Sequence, residues 1–142
     1  MHVASKITWD ARVAFLLNLQ VWKGDIVTVT ADAIINPCGS NADFAGQVGH
    51  ALAATGGEAL VNETRRATQG LNMREGDAVL GPSTGLHAKN LIHVHGPGWS
   101  GNAAQSIGEL GRTIENILKL ADLHKLSSIA LPSVSSGGCV LT

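Results

Sequence analysis

Cysteine is scarce in this chain: two residues, Cys38 and Cys139, among 142. That number excludes a disulfide framework and points to a reducing compartment. Charge is thin as well, at 15% of residues, and almost balanced, with a net of -1. Nothing electrostatic therefore favours non-specific adhesion to nucleic acid or to a membrane surface. Hydrophobic runs of membrane-spanning length, roughly 20 residues, are missing. Val13 to Leu17 is too short for a span, and Asp10 ahead of it, with no small-residue cleavage pattern behind it, does not make a signal peptide. Several motifs are absent too. There is no Walker P-loop, no Gly-x-Gly-x-x-Gly, no zinc-ligand spacing and no nucleophile elbow around Ser135 or Ser136. Kinase, Rossmann, structural-zinc and serine-hydrolase readings fail at this level.

What the chain does have is one domain's length, enough to bury roughly 68% of its unfolded surface, and an alternation of strand and helix patterns. Ile7-Thr8-Trp9 and Val13 to Leu17 read as one or two strands, followed by another at Leu19 to Trp22. Ala33 to Asn36 is a short apolar strand of the kind buried on both faces, stopping at Asn36-Pro37. A glycine-rich loop then feeds a small-residue helix, Gln47 to Ala54. Thr55 and Glu58 have capping-box spacing for a second helix ending at Gly70. Asp77 to Leu80 and Asn90 to His95 are strands. Ser106 and Glu109 suggest another capping box, and Ile107, Leu110, Ile114, Ile117, Leu118 and Ala121 share one helical face. Ser128 to Pro132 reads as a last strand. The pattern predicts an α/β fold, helices covering both faces of a mixed sheet. Asn62-Glu63-Thr64 matches the glycosylation sequon but falls inside a predicted helix, so the match is read as chance.

In such sheets ligands bind beyond the carboxyl ends of the strands. Three segments there suit a phosphate-bearing ligand. Gly24-Asp25-Ile26 places a carboxylate, an acceptor-only group, where an adenine amino group could donate to it. The plainer reading of Asp25 is a turn residue bonding its own backbone. Ala45-Gly46-Gln47-Val48-Gly49 opens a helix whose free amides favour an anion. Ser135-Ser136-Gly137-Gly138 can form an anion nest from backbone amides. His93 and His95, two apart on a strand, point to one face. Without a zinc pattern they read as hydrogen-bonded core histidines and not as ligands.

These segments, together with Asp32-Ala33-Ile34-Ile35-Asn36, Leu91 to Trp99, and Ser128 to Ser133 running into Ser136-Gly137, resemble the macro domain, a family that binds ADP-ribose and related nucleotides. The likeness covers nearly the whole chain. Leu19-Gln20-Val21, Pro37, Gly46 to Gly49 and Gly56-Gly57 are most similar to the macro domain of the macro-histones. The resemblance implies a three-layer α/β/α fold. It implies that Asp25 accepts from the adenine amino group with Ile26 beside the ring, and that Gly46, Gln47, Val48 and Gly49 line the distal ribose and diphosphate with Asn36 at the strand end. Ser135, Ser136, Gly137 and Gly138 would hold the diphosphate from the other side. It further implies no metal and no cofactor, ADP-ribose as ligand, and mono- or poly-ADP-ribosylated proteins as partners. Chromatin would be reached through an attached histone region not in this chain. Nuclear placement follows from the same likeness, with the cytoplasm otherwise, and no membrane association is implied.

The departures from the family pattern bear on chemistry. Hydrolytic members resemble Asn-Ala-Ala-Asn at the strand end and Gly-Gly-Gly-Val-Asp in the loop. Here the second asparagine falls on Gly39 and the acidic position on Gly49. Glycine can neither act as a base nor orient a nucleophile, so binding without turnover is expected. A ligand-free scaffold and an ADP-ribosyl hydrolase or deacylase are the alternatives. Val140 stands where the second anion loop would have glycine, which weighs on phosphate affinity. The chain ends at Thr142, where the family continues with another helix and strand. The expected single macro domain over residues 1–142 is thus short of those two elements and of marginal stability.

Overall fold

The computed structural model describes residues 19–132 apart from Trp22. The strands expected at Ile7–Trp9 and Val13–Leu17 lie outside the described residues. Among the described residues four strands form one sheet: β1 (Ala33–Cys38), β2 (Ala78–Gly81), β3 (Asn90–His95) and β4 (Ile129–Ala130), in the order β2-β3-β1-β4. β1 runs parallel to β3, with Ala33 opposite Asn90 and Cys38 opposite His95, and parallel to β4; β2 is antiparallel to β3. Two α-helices among the described residues, α1 (Gln47–Ala67) and α2 (Ala103–Leu123), lie on opposite faces of the sheet in an α/β/α arrangement.

Period-two alternation along β1 and β3 sorts the core into two layers. Ile34 and Leu91 meet Leu52 and Leu60 of α1, while Ala33, Ile35, Ile92 and Val94 meet Ile117 of α2. All of these side chains are buried, which is the near-continuous apolar pattern of parallel strands covered on both faces.

Several elements differ from the sequence expectation. Leu19 and Val21 are exposed and belong to no strand among the described residues. β1 does not stop at Asn36 but continues through Pro37, in register with Val94, to Cys38. Proline cannot donate to a ladder, and it is tolerated here past Ile34, where the described pairing to β4 ends. β4 itself is two residues long, not five. The two helices expected on either side of Gly56-Gly57 form one kinked element, bent at Gly57, whose φ of 71° and ψ of -166° are not helical. Thr55 does not cap the second piece, because its hydroxyl donates to the Ala51 carbonyl.

α2 starts three residues before the expected cap. Asn102 caps it, its side chain accepting from the Gln105 amide at 3.0 Å. Its buried face is also turned. Ser106, Thr113, Ile117 and Ala121 face the sheet, whereas Ile107 is 68% exposed and Leu118 40% exposed. The two buried hydroxyls are satisfied locally: Ser106 bonds Ser100, and Thr113 donates to the Glu109 carbonyl. They can therefore be buried despite their polarity, and a pattern read from apolar residues alone misses them.

Candidate functional site

The parallel strands β1 and β3 end side by side at Cys38 and His95, and the loop leaving β1 leads directly into α1. Gly46 is the N-cap of α1 and makes no side-chain cap bond; no acidic residue occupies the first turn. The His50 amide closes the helix onto the Gly46 carbonyl at 2.8 Å. The amides of Gln47, Val48 and Gly49 precede that first helical bond, so they carry the partial positive charge of the helix end outward. Gly46 and Gln47 are exposed, Val48 half-buried and Gly49 buried.

Glycine at position 49 is required by packing. A Cβ there would lie 2.6 Å from the Phe44 Cα and 2.9 Å from the Phe44 carbonyl oxygen. The loop backbone thus presses against the first turn of α1 and leaves no room for any side chain at that point. Gly46 is less constrained, with the Pro37 carbonyl 3.3 Å from its would-be Cβ.

Asp25 lies on a separate segment, at the N-cap of a single 3-10 turn, Ile26–Thr28. Its Oδ1 accepts from the Val27 amide at 3.1 Å, and its carbonyl accepts from the Thr28 hydroxyl at 2.7 Å. The plain turn reading is therefore physically present. The Val27 bond uses Oδ1 of an exposed residue. Ile26 and Val48 pack against the same buried cluster around Leu52, which brings the Asp25 turn and the start of α1 onto one side of the sheet.

Asn36 is fully buried, so it stands behind the loop and not on its open side. One of its amide hydrogens goes to the Asp43 carbonyl at 2.9 Å and the other to His93 Nδ1 at 3.0 Å. Its Oδ1 and His93 Nε2 have no hydrogen-bond partner among the described residues. The Phe44 ring meets the His93 ring edge-on, with centroids 5.7 Å apart. Burial holds His93 well below the usual histidine range, at about 4, with the Asp43 carboxylate opposing that shift. His95 is tied differently, its Nδ1 donating to the Met73 carbonyl at 3.1 Å. Both rings are thus hydrogen-bonded within the fold. Burial, assisted by Asp43, pushes the Cys38 thiol up to about 11, so it stays protonated and a poor nucleophile. Among the described residues no group of three His, Cys, Asp or Glu side chains could hold a metal, and no helix is long and apolar enough to cross a membrane.

Ser135, Ser136, Gly137, Gly138 and Val140 lie outside the described residues. Sequence reasoning passed over Asp43 and Phe44, which shape the loop. The Asp43 side chain accepts from the Ala45 amide at 3.2 Å in an Asx turn. The signal was available, since Asn41-Ala42-Asp43 ahead of Gly46 is a turn composition.

The macro domain family model matches residues 35–140. The chain belongs to the macro-domain family. This macro domain is 37% identical over 123 residues to histone macroH2A1.1 of Capsaspora owczarzaki, an alignment covering 84% of the chain and 33% of that histone. It is 36% identical over 122 residues to the O-acetyl-ADP-ribose deacetylase of Salmonella typhimurium, covering 84% of the chain and 68% of the enzyme. Among solved structures, a mutant of the Oceanobacillus iheyensis macrodomain with ADPR superposes with a TM-score of 0.73 at 27% identity, covering 84% of this chain and 66% of that one. The macro domain described here thus spans a third of the histone it matches and about two thirds of the other two.

Proposed function

We propose that this macro domain binds ADP-ribose, free or attached to protein, without turning it over. The observation that carries this reading is the first turn of α1, opened by an exposed Gly46 with no side-chain cap. Its uncharged amides suit a diphosphate and require no cationic side chain, in keeping with a net charge of -1. In this reading Asp25 accepts the adenine amino group through Oδ2, with Ile26 beside the ring. Gly46, Gln47 and Val48 hold the diphosphate and distal ribose through backbone, and Ser135, Ser136, Gly137 and Gly138 approach from the other side. Asn36 supports the loop from behind. The ADPR-bound relative supports the ligand assignment.

Binding without turnover rests on Gly49. The position has neither a carboxylate nor space for one against Phe44, and no base is supplied there. The likeness to macroH2A1.1 supports a chromatin setting and a nuclear location. Calorimetric titration with ADP-ribose tests the reading: saturable heat is expected, and its absence at millimolar ligand in a folded sample would refute it.

The likeness to an O-acetyl-ADP-ribose deacetylase favours a second reading, hydrolysis of an acyl or protein linkage to ADP-ribose. Release of acetate from O-acetyl-ADP-ribose above the buffer rate would establish it in place of the first.

A further inference from the structure

Asp32 stands one residue before β1, where β1, β3 and β4 come into line: Ala33 is the register partner of both Asn90 and Ile129. It is bonded to the residues that open both neighbouring strands. On the β4 side its Oδ2 accepts from the Ser127 amide at 2.6 Å, and its own amide donates to Ser128 Oγ at 3.0 Å. On the β3 side its carbonyl accepts from the Asn90 side chain at 3.0 Å, and Lys89 Nζ lies 3.4 Å from its Oδ1. The Ser127 amide holds the Asp32 carboxyl below the usual carboxylate range, with desolvation opposing and Lys89 assisting. The group is therefore ionised at neutral pH, and its bond to Ser127 is charge-assisted.

Such bonds matter most where the ladder is shortest. β4 has two residues, and its described pairing is to β1 alone, at Ala33–Ile129 and Ile34–Ala130. Strands usually run about 3–10 residues, so two register pairs hold β4 weakly. The Ala33 amide, donating to the Ser128 carbonyl at 3.2 Å, adds one bond to them. Lys89 adds little, because its side chain is 78% exposed and water screens the pair. The Ser127 amide and the Ser128 hydroxyl are the bonds that tie β4 to Asp32.

β4 reaches the nucleotide side of the sheet through its second residue. Ala130 packs against the buried cluster of Ile34, Leu52 and Leu91, as do Ile26 and Val48. Those two are the residues placed beside the adenine ring and in the first turn of α1. We infer that Asp32 is a positioning residue for the nucleotide site: it clasps β4 to β1, and β4 supports, through Ala130, the apolar floor shared by Ile26 and Val48. The inference rests on the nucleotide reading above. It gives a part in recognition to a carboxylate at the amino end of β1, away from the loop that leaves the other end.

The test combines hydrogen exchange with calorimetric titration by ADP-ribose, on the full 142-residue chain. Asp32→Ala is expected to speed exchange in residues 127–131 while α1 and α2 keep wild-type rates. The ADP-ribose affinity of the folded variant should fall by about three- to thirtyfold, the range for contacts that act on a ligand from a distance. Asp32→Asn keeps an oxygen for the Ser127 amide and should preserve part of both the protection and the affinity. Glu115→Ala, which breaks an exposed ion pair on α2, should change neither. A general loss of stability would speed exchange throughout and leave the affinity of folded molecules unchanged, and that result overturns the inference. Faster exchange at β4 without weaker binding overturns it too, as does weaker binding without faster exchange at β4. If Asp32→Ala does not fold, Asp32→Asn and Ser128→Ala decide, the latter removing only the hydroxyl that accepts from the Asp32 amide. Both should act in the same direction, and wild-type behaviour in both overturns the inference. A folded wild type that binds no ADP-ribose refutes the nucleotide reading and this inference together, whereas wild-type binding with any of the overturning results refutes this inference alone.

Discussion

Asn36 Nδ2 lies 3.0 Å from His93 Nδ1, and both side chains are shut off from solvent. Because Nδ1 accepts this bond, the proton of the neutral ring sits on Nε2. The second amide hydrogen of Asn36 goes to the Asp43 carbonyl, so one side chain joins β1, β3 and the loop that opens α1. Removing the amide by Asn36→Ala would leave the Asp43 carbonyl and His93 Nδ1 unpaired. A loss of about 1–3 kcal/mol is expected for such orphaned groups, read as a lower urea midpoint at unchanged m-value.

His93 makes stability depend on pH. Its folded value is about 4, whereas an unfolded histidine titrates near about 6.5. Above that unfolded value both states hold the ring neutral and the native state has its full stability. As pH falls from about 6.5 to about 4, the unfolded chain takes up a proton that the folded chain refuses, and stability is lost. The contribution is on the order of 3 kcal/mol. Urea unfolding of the wild type and of His93→Gln at a series of pH values checks this. The variant should show a shallower fall over that window, and an equally steep one would assign the pH dependence to other groups.

Asp25 can be tested in two separable ways. Asp25→Ala removes the bond to the Val27 amide as well as the proposed adenine contact. It should weaken ADP-ribose binding by about 1.5–3 kcal/mol, the value of a hydrogen bond to a charged group. Asp25→Asn keeps an acceptor for Val27 but turns an amide donor toward the adenine amino group. Calorimetry should show a comparable loss of affinity with an unchanged melting temperature. Wild-type affinity in Asp25→Asn would remove adenine recognition from this residue.

Gly49→Ala should destabilise the domain by about 1–3 kcal/mol, the cost of overpacking, because the new methyl meets Phe44 backbone at 2.6 Å. Relief requires the loop to move, so ADP-ribose affinity should fall with stability. Gly24→Ala, with nothing within 4 Å of its Cβ, is the control and should change stability by no more than about 0.5 kcal/mol. Thermal and urea unfolding of the pair decide the point.

The orientation of α2 is open to a similar comparison. Ile117→Ala should cost about 2–5 kcal/mol as a buried large-to-small change, whereas Ile107→Ala should stay within about 0.5 kcal/mol, as exposed positions do. Equal costs would return Ile107 to the buried face.

Much of this fold was legible in the residues. The apolar runs at Ala33 to Asn36 and Asn90 to His95 and the turn at Gly70 follow from local chemistry, and β1, β3 and the end of α1 lie where they indicate. The break at Gly56-Gly57 was visible as well, but it read as the boundary between two helices, whereas it is a kink inside one. Boundaries decided by tertiary contacts were not legible. Pro37 stays in β1 because of its neighbours, and Ser106 and Thr113 turn α2 because hydroxyls satisfied nearby can be buried. Of the candidate site, the start of α1 at Gln47 and the turn at Asp25 could be read directly. The steric reason for Gly49 could not, because it depends on where the loop at Phe44, five residues upstream, folds back.

The pairing of Asn36 with His93 also governs how the sheet can assemble. They are register partners on parallel strands, each the polar member of an otherwise apolar strand core. Sliding β1 by one residue against β3 would exchange its two faces. Asn36 would then be delivered into the layer of Ile92, Val94 and Ile117, with no partner for its amide, and Ile35 would be driven toward the loop. Hydrophobic burial alone distinguishes these two alignments poorly, since isoleucines occupy both sides of β1. The amide–imidazole pair breaks that near-degeneracy, so its largest effect falls on misaligned chains, which it renders uncompetitive during folding.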